Sequence, residues 1–139
     1  MYSQVIKYIK QRIEISQEAI EESLTYSDFK KYKKGEYILK AGEYCRFIGF
    51  LNKGFIVTTI VDEAGNERAA EFKHEGCFFT YTEGLAGNSP SHKNFIAIED
   101  CEALVLNKDH LALIFKNNPK FETLFSQILA EELRLVLLN

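Results

Sequence analysis

The stretch FIGFLNKGFIVTTIVDEAGNERAAEF, which runs from Phe47 to Phe72, decides the fold. It holds short apolar runs of strand length, separated by turns that include Asn52-Lys53-Gly54 and Glu63-Ala64-Gly65-Asn66. Either Gly65 or Asn66 can take the positive φ that a hairpin turn demands. Short apolar runs of this kind continue to Leu106. The expected strands are Phe47–Leu51, Phe55–Val61, Ala69–Phe72, Phe95–Ile98 and Ala103–Leu106. Short apolar runs with Gly-containing turns about every ten residues predict an all-β barrel or sandwich.

At the N-terminal end of the chain, apolar residues have the spacing of helices and not that of strands. Apolar residues recur with a helical period through residues 1–26, as at Val5, Ile9 and Ile13. This period predicts two short amphipathic helices that pack against the β body. Ser16 is placed to cap the second helix, and Glu18 puts a negative charge in its first turn, where the helix dipole favours it.

Four lysines lie between these helices and the strands, at positions 30, 31, 33 and 34. A basic run can indicate nucleic-acid binding, but proteins that bind nucleic acids concentrate Lys and Arg, and this chain has a net charge of −3. We interpret the run as a solvated face. No DNA-binding surface is expected in these residues.

The helical period returns after Asn107. Asp109 is expected to cap a short helix from His110 to Lys116, which ends at Asn117-Asn118-Pro119 because Pro disfavours helix in the residue before it. A long helix begins near Pro119 and is apolar on more than one face, so we expect it to pair with the same helix of a second copy. The expected dimer-interface residues are Phe121, Leu124, Phe125, Ile128, Leu129, Leu135 and Val136. The sequence stops inside this apolar pattern, so we expect the native protein to continue.

No pattern of catalytic or metal-binding residues is found. The three histidines, His74, His92 and His110, are far apart and form no HxH or HExxH motif. The three cysteines form no CxxC pair, which is typical of reduced thiols in the cytoplasm. No apolar run approaches the length of a membrane span. The sequence predicts no catalytic residue, no metal site and no membrane partner.

A long connection precedes the strand at Phe95. Residues 75–97 read EGCFFTYTEGLAGNSPSHKNFIA and include an acidic-glycine turn at Glu83-Gly84 and a Pro90-Ser91 step. Gly and Pro allow backbone N–H groups to line a concave turn, a geometry suited to anions. On composition alone, an ordinary connection between two strands is the alternative.

The order of helices, short strands and a long final helix is similar to the cyclic-nucleotide-binding domain, and more closely resembles the effector domain of the Crp/Fnr class of bacterial transcription regulators. The resemblance rests on YKKGEYILKAGE (Tyr32 to Glu43), the turn Phe50 to Gly54, the hairpin turn Asp62 to Glu67, and Ala97-Ile98-Glu99. It covers nearly the whole chain. It implies a mainly β domain with flanking helices, a double-stranded β-helix (jelly roll), followed by a long C-terminal dimerisation helix.

In that family the loop corresponding to residues 79–97 is the phosphate-binding cassette, in which a Glu bonds the ribose hydroxyl and an Arg bonds the cyclic phosphate. Here Glu83-Gly84-Leu85-Ala86 and Pro90-Ser91 occupy those places, so Ser91 stands where the family has Arg. Regulators with this Pro-Ser step resemble a branch common in Bacteroidetes-like bacteria.

Ser91, in place of the family's Arg, weakens the implied phosphate-binding site. A hydroxyl does not replace the bidentate, charged grip of a guanidinium, and losing one partner of a buried charged pair costs about 2 to 5 kcal/mol. Lys93 lies on the same side of an extended strand as Ser91 and can supply a point charge. The resemblance implies weak cyclic AMP binding by Phe79, Tyr81, Glu83, Gly84, Leu85, Ser89, Ser91 and Lys93.

We therefore expect a non-catalytic, cytoplasmic sensor with no bound cofactor. Residues 1–28 form N-terminal helices, residues 29–107 the β-roll effector-binding domain, and residues 108–139 the C-terminal helices. An unidentified small effector is sensed, and the signal passes to a dimer partner and to a DNA-binding helix-turn-helix outside these residues. Two alternatives are a stand-alone cyclic-nucleotide-binding protein and a small cupin-type barrel enzyme with bound metal.

Overall fold

The computed structural model describes residues 1–138, apart from the side chains of Ala86 and of residues 135–138. The helices are α1 (Ser3–Lys10), α2 (Gln17–Leu24), α3 (Thr82–Gly87), α4 (Leu111–Asn117) and α5 (Lys120–Leu138), and a 3₁₀ turn (Lys108–His110) precedes α4. The strands are β1 (Ser27–Tyr32), β2 (Tyr37–Leu39), β3 (Phe47–Lys53), β4 (Phe55–Val61), β5 (Glu67–His74), β6 (Phe78–Phe79), β7 (Lys93–Ala97) and β8 (Cys101–Asn107). The predicted mainly β jelly roll with flanking helices is confirmed.

Two antiparallel four-stranded sheets form the roll, in the orders β1-β8-β3-β6 and β2-β7-β4-β5. The β4–β5 hairpin is closed by the turn predicted at Glu63-Ala64-Gly65-Asn66. Gly65 takes the positive φ of 85°, and the Asp62 carboxylate accepts hydrogen bonds from the backbone N–H groups of Ala64 (3.0 Å) and Asn66 (2.8 Å). These bonds fix the register of the hairpin, which pairs Val57 with Phe72.

Strand β8 explains why the roll has two apolar cores. Alternate residues of a strand point to opposite faces, and both faces of β8 are apolar. Cys101, Ala103 and Val105 belong to the core between the two sheets. Leu104 lies on the other face, in a second core that the helices cover.

The second core fastens the helices to the roll. The residues buried in it are Val5, Ile9, Ile20, Leu24, Ile48, Phe50, Leu104, Ile114, Phe121, Leu124 and Ile128. Each buried aliphatic or aromatic side chain contributes about 1.5 to 3 kcal/mol. The N-terminal and C-terminal helices therefore share one apolar layer against the outer face of a sheet.

This packing changes the interpretation of the long helix. Phe121, Leu124 and Ile128 were expected at a dimer interface, but all three are buried within the chain itself, so they have almost no surface to offer a second copy. Phe125 and Leu129 are only half-buried. Leu135 and Val136, which were also assigned to the interface, lie outside the described side chains.

Local details bear out several predictions and correct others. Ser16 caps α2 by accepting a hydrogen bond from the Ala19 N–H (3.1 Å). Asp109 is not the cap of the following helical segment, because the Asn107 side chain accepts the hydrogen bond from the Asp109 N–H (2.8 Å).

Strand β1 contains two of the four lysines, exposed on an edge strand where charge is common.

The two Gly-Glu pairs of YKKGEYILKAGE are turn motifs. Gly35 and Gly42 take positive φ values of 88° and 94°. The carboxylates of Glu36 and Glu43 accept hydrogen bonds from the backbone N–H three residues earlier, at 3.1 and 2.7 Å. Each pair therefore forms a turn in which the glycine takes the positive φ and the glutamate side chain bonds back to the backbone. No helix in the described part of the chain has both the length and the apolar content needed to span a bilayer.

Candidate ligand-binding site

A cavity of about 60 Å³ lies between β5, β7, the segment that leads into α3, and the C-terminal part of α5. Charged side chains from the strands and from α5 line it beside aromatic ones. Its charged and hydroxyl-bearing lining includes Glu71, Lys73, Tyr81, Glu83, Lys93 and Glu132.

Strand periodicity places the charges in the cavity. Glu71 and Lys73 are two residues apart on β5 and face the cavity, while Phe72 between them points outward and is 58% exposed. On β7, Lys93 and Phe95 share the inward face in the same way. Strand β4 lies between β5 and β7 in the sheet, so Glu71 and Lys73 approach the cavity from one side of β4 and Lys93 from the other.

Four alternating charges form one chain across the cavity. The Glu132 carboxylate accepts a hydrogen bond from Lys73 Nζ at 2.6 Å, and Lys73 Nζ lies 3.4 Å from Glu71 Oε2. The other oxygen of Glu71 accepts a hydrogen bond from Lys93 Nζ at 2.9 Å. The side chain of Lys73 is only 5% exposed, and those of the other three are 12 to 14% exposed. An ammonium group this deep is tolerated because carboxylates surround it.

The charges of the two lysines also decide the protonation of Glu71. Burial alone would raise the pKa of this carboxyl group. The hydrogen bond from Lys93 and the positive charges of Lys73 and Lys93 outweigh burial and hold the pKa of Glu71 below its ordinary value. Glu71 therefore stays ionised and shared between the two lysines at neutral pH.

Tyr81 and Glu83 border the cavity at the start of α3. Tyr81 is buried, and its hydroxyl is hydrogen-bonded to Nδ1 of His92. Burial raises the pKa of Tyr81, and the neighbouring Glu83 adds to the rise. Glu83 itself is exposed at the edge of the cavity, next to Tyr81, where its carboxylate can accept a hydrogen bond from a hydroxyl group.

Ser91 and Ser89 are placed differently from the prediction. Ser91 is buried, and its hydroxyl donates to the Lys93 carbonyl oxygen (2.7 Å) while accepting from the Lys93 N–H (3.1 Å). Its only proton is thus committed to the backbone, and Ser91 acts as a turn residue. Ser89 is exposed and does not line the cavity.

The other predicted site residues support the loop rather than the cavity. Phe79 is fully buried in the core between the sheets. A Cβ atom on Gly84 would lie 3.0 Å from the Tyr81 ring and 3.3 Å from Cys45 Cβ, so glycine is needed for close packing there. Leu85 lies in a separate groove between α3, α4 and α5, where it approaches Phe125.

The sequence reasoning missed three residues of the charge chain, Glu71, Lys73 and Glu132. A signal existed for each. Glu71 and Lys73 lie at alternate positions of a strand whose register faces inward, and Glu132 lies four residues after Ile128, on the buried face of α5. Charged residues at positions that continue the buried face of a strand or helix indicate a polar site within that face.

No metal site accompanies these charges. The described residues contain no group of three or more His, Cys, Asp or Glu side chains that could hold a metal ion. Cys45 and Cys101 are free and buried, and Cys77 is free and partly exposed.

A closed antiparallel roll with a polar cavity, covered by a C-terminal helix, defines a ligand-binding domain. The sequence profile of the family described as "Cyclic nucleotide-binding domain" matches residues 29–118, which is more than half of the chain. The chain therefore belongs to the cyclic-nucleotide-binding domain family.

Solved structures show the same fold at low sequence identity. A cyclic nucleotide-binding domain from Methylobacillus flagellatus is 15% identical with a TM-score of 0.83, covering 96% of this chain and 78% of that one. The catabolite activator protein of Thermus thermophilus is 21% identical (TM-score 0.78), covering 89% and 58%. The sensor domain of the transcriptional regulator DNR from Pseudomonas aeruginosa is 18% identical (TM-score 0.74), covering 99% and 95%.

The chain thus spans only 58% of the Thermus protein but almost the full length of the DNR sensor domain. No curated protein matches the chain at a significant level.

Proposed function

We propose that this chain is the effector-sensing domain of a cytoplasmic Crp/Fnr-type transcription regulator, and that a small anionic effector binds in the cavity between β5, β7 and α5. The observation that carries the proposal is the hydrogen bond between Lys73 of the roll and Glu132 of α5. Through it, the cavity and the C-terminal helix are in direct contact. A ligand in the cavity can therefore favour one position of the helix over another.

The cavity offers positive charge to an anionic group of the effector, and a carboxylate that can accept a hydrogen bond from an effector hydroxyl. Lys73 and Lys93 supply two ammonium groups within the cavity, and Glu83 supplies an exposed carboxylate at its edge. This set suits a nucleotide-like molecule that carries both a phosphate and free hydroxyl groups. Cyclic AMP is the natural first probe, because related structures in the same fold are described as bound to it.

We expect cyclic AMP to bind weakly. No arginine stands at position 91, and the charge of Lys93 is already balanced by Glu71 at 2.9 Å. A phosphate would have to compete with that carboxylate, so the gain on binding is small. A physiological effector with a different arrangement of negative charge is consistent with these residues.

The second part of the proposal is a homodimer that forms through α5 and couples to a DNA-binding domain outside these residues. After packing within the chain, α5 retains Phe125 and Leu129 as half-buried residues, and Leu133 as a residue that is 58% exposed. Exposed apolar side chains on one helix are typical of a helix that pairs with another. The Thermus activator extends well beyond the region that this chain matches, which leaves room for such a domain.

Calorimetric titration with cyclic AMP and cyclic GMP tests the ligand proposal. Lys93→Ala and Glu83→Ala are each expected to weaken binding by about tenfold or more, whereas Lys53→Ala, an exposed lysine on β3, serves as the matched control. Binding that none of the three substitutions changes would place the ligand elsewhere and would remove this proposal.

A further inference from the structure

Lys73 needs a counter-charge that the roll alone does not fully provide. Its side chain is 5% exposed, and a buried ammonium group is stable only when a negative charge compensates it. Glu71 is the carboxylate of the strands that reaches Lys73, at 3.4 Å, and it is shared with Lys93 at 2.9 Å. Within this cluster the strands carry two positive charges and one negative charge. Glu132 of α5 supplies the missing negative charge.

The ion pair is also the polar tie between α5 and the strands. Among the described side chains, α5 makes its other ion pair with Arg12, at 3.7 Å, and Lys120 donates to the Glu14 carbonyl oxygen; neither partner is in a strand. Ile128 is the last residue of α5 in the buried core, and Leu133, which lines the cavity, is 58% exposed. In the last described turns of α5, Glu132 therefore provides the ion pair to a strand, beside the partly exposed Leu133.

The cavity is too small for Glu132 and a nucleotide-sized effector to occupy it together. Its volume is about 60 Å³ with Glu132 and Leu133 in place, whereas sites for nucleotide-sized ligands occupy about 300 Å³ or more. An effector that enters between β5 and β7 must displace this part of α5. The first contact it has to replace is the bond from Lys73 to Glu132.

We propose that the Glu132 carboxylate is a built-in anionic occupant of the effector cavity, and that an effector replaces it by placing its own anionic group on Lys73. The inference rests on the proposed sensing function and adds to it a class of ligand and a mode of regulation. With Glu132 on Lys73, the helix covers the cavity. With an external anion on Lys73, Glu132 is released and the last turns of α5 move away from the roll.

Two substitutions that break the same ion pair are expected to change anion binding differently. Glu132→Gln removes the competing carboxylate and leaves Lys73 free, so anion binding increases. Lys73→Met also releases Glu132 but removes the group that holds the anion. The apparent affinity of a ligand falls in proportion to the fraction of protein that can bind it. If Glu132 occupies Lys73 in most molecules, the apparent affinity for an anion is therefore lowered about tenfold or more.

The experiment compares the wild-type chain, E132Q and K73M. Glu131→Gln is the control, because Glu131 lies next to Glu132 on the same helix but is 51% exposed and faces Arg12. Binding of inorganic phosphate and of cyclic AMP is measured by calorimetry at constant ionic strength, and amide hydrogen exchange of residues 120–134 is measured without ligand.

We expect E132Q to bind phosphate about tenfold more tightly than wild type, with K73M binding no more tightly and E131Q unchanged. Exchange in residues 129–134 is expected to rise in both E132Q and K73M. Faster exchange without a gain in anion binding would overturn the inference, because the pair would then be a structural tie only. An E132Q chain identical to wild type in both readouts would overturn it as well.

The two probes separate this inference from the proposed function. A gain in phosphate affinity in E132Q, with no cyclic AMP binding by any variant, would support Glu132 as the internal occupant and reject cyclic AMP as the effector. Cyclic AMP binding by wild type that E132Q leaves unchanged would support the sensing function and reject the internal occupant.

Discussion

Lys73 of β5 and Glu132 of α5 are 59 residues apart in the sequence, and Lys73 Nζ donates a hydrogen bond of 2.6 Å to the Glu132 carboxylate. The bond joins the sheet that lines the cavity to the helix that covers it. Because both side chains are largely removed from water, the pair is screened little by salt. It is the structural basis of the proposed communication between ligand and helix.

Glu71 holds the two lysines of the cavity together, and its removal should destabilise the chain. Glu71→Gln leaves Lys73 and Lys93 without the shared carboxylate, and breaking a buried ion pair in this way costs about 3 to 5 kcal/mol. Urea denaturation measures the loss of unfolding free energy. Glu75→Gln, at an exposed position four residues later, is the control and should change stability little. Equal stability of the two variants would contradict the role of Glu71.

The lowered pKa of Glu71 predicts a specific dependence of stability on pH. Its folded-state pKa lies below the unfolded value of about 4.3, so its stabilising contribution is present above about pH 4.3 and is lost as the pH falls through the folded pKa. Urea denaturation between about pH 3 and pH 7 should therefore show a steeper acid loss in wild type than in Glu71→Gln. Parallel curves for the two proteins would show that Glu71 does not titrate as described.

Gly54, between β3 and β4, is predicted to tolerate no side chain. Its φ is 106°, and a Cβ atom would lie 2.7 Å from the carbonyl oxygen of Asp100. Gly54→Ala should cost about 2 to 4 kcal/mol through backbone strain and overpacking together.

Gly65→Ala is the matched control for Gly54→Ala. Its φ is 85°, but no atom lies within 4 Å of the added Cβ, so only about 1 kcal/mol of conformational cost is expected. Thermal denaturation of the two variants measures the difference. A Gly65→Ala chain as unstable as Gly54→Ala would mean that the contact at Asp100 is unimportant.

The proposed dimer depends on the apolar residues that α5 leaves exposed. Leu133→Glu should weaken dimerisation by about tenfold or more, as measured by sedimentation equilibrium over a range of concentrations. Leu113→Glu is the control, because Leu113 is also an exposed leucine but lies on α4. A dimer that Leu133→Glu leaves intact would exclude this face of α5 from the interface.

Much of the fold could be predicted from local patterns. Apolar runs bounded by Gly-containing turns identified β3, β4, β5, β7 and β8, and helical spacing identified α1, α2, α4 and α5. Strand β1 was not recognised because its adjacent, exposed Lys30 and Lys31 interrupt the alternation of a strand, and polar sequence is permitted on an edge strand. Helix α3 was interpreted as loop, because the glycines at positions 84 and 87 are poor helix formers and its short length depends on tertiary packing.

The candidate site was predictable only in part. The resemblance pointed to Tyr81, Glu83 and Lys93, and all three line the cavity. The helical spacing places Glu132 on the buried face of α5, but its partner Lys73 lies 59 residues away in the sequence, so no local pattern identifies the ion pair. Ser91 was assigned to the ligand from its position in a motif, and the structure shows instead that its hydroxyl bonds to the backbone of Lys93.

The central claim is that a nucleotide-like anion binds between β5, β7 and α5 and is sensed by α5. The most direct test is a ¹H–¹⁵N NMR titration of the wild-type chain with cyclic AMP to about millimolar concentration, the range in which a weakened site is expected to saturate. The account predicts shifts confined to residues 71–73, 80–83 and 93, together with residues 128–134 of α5. Shifts in the strands without any in α5, or shifts confined to another surface, would contradict it.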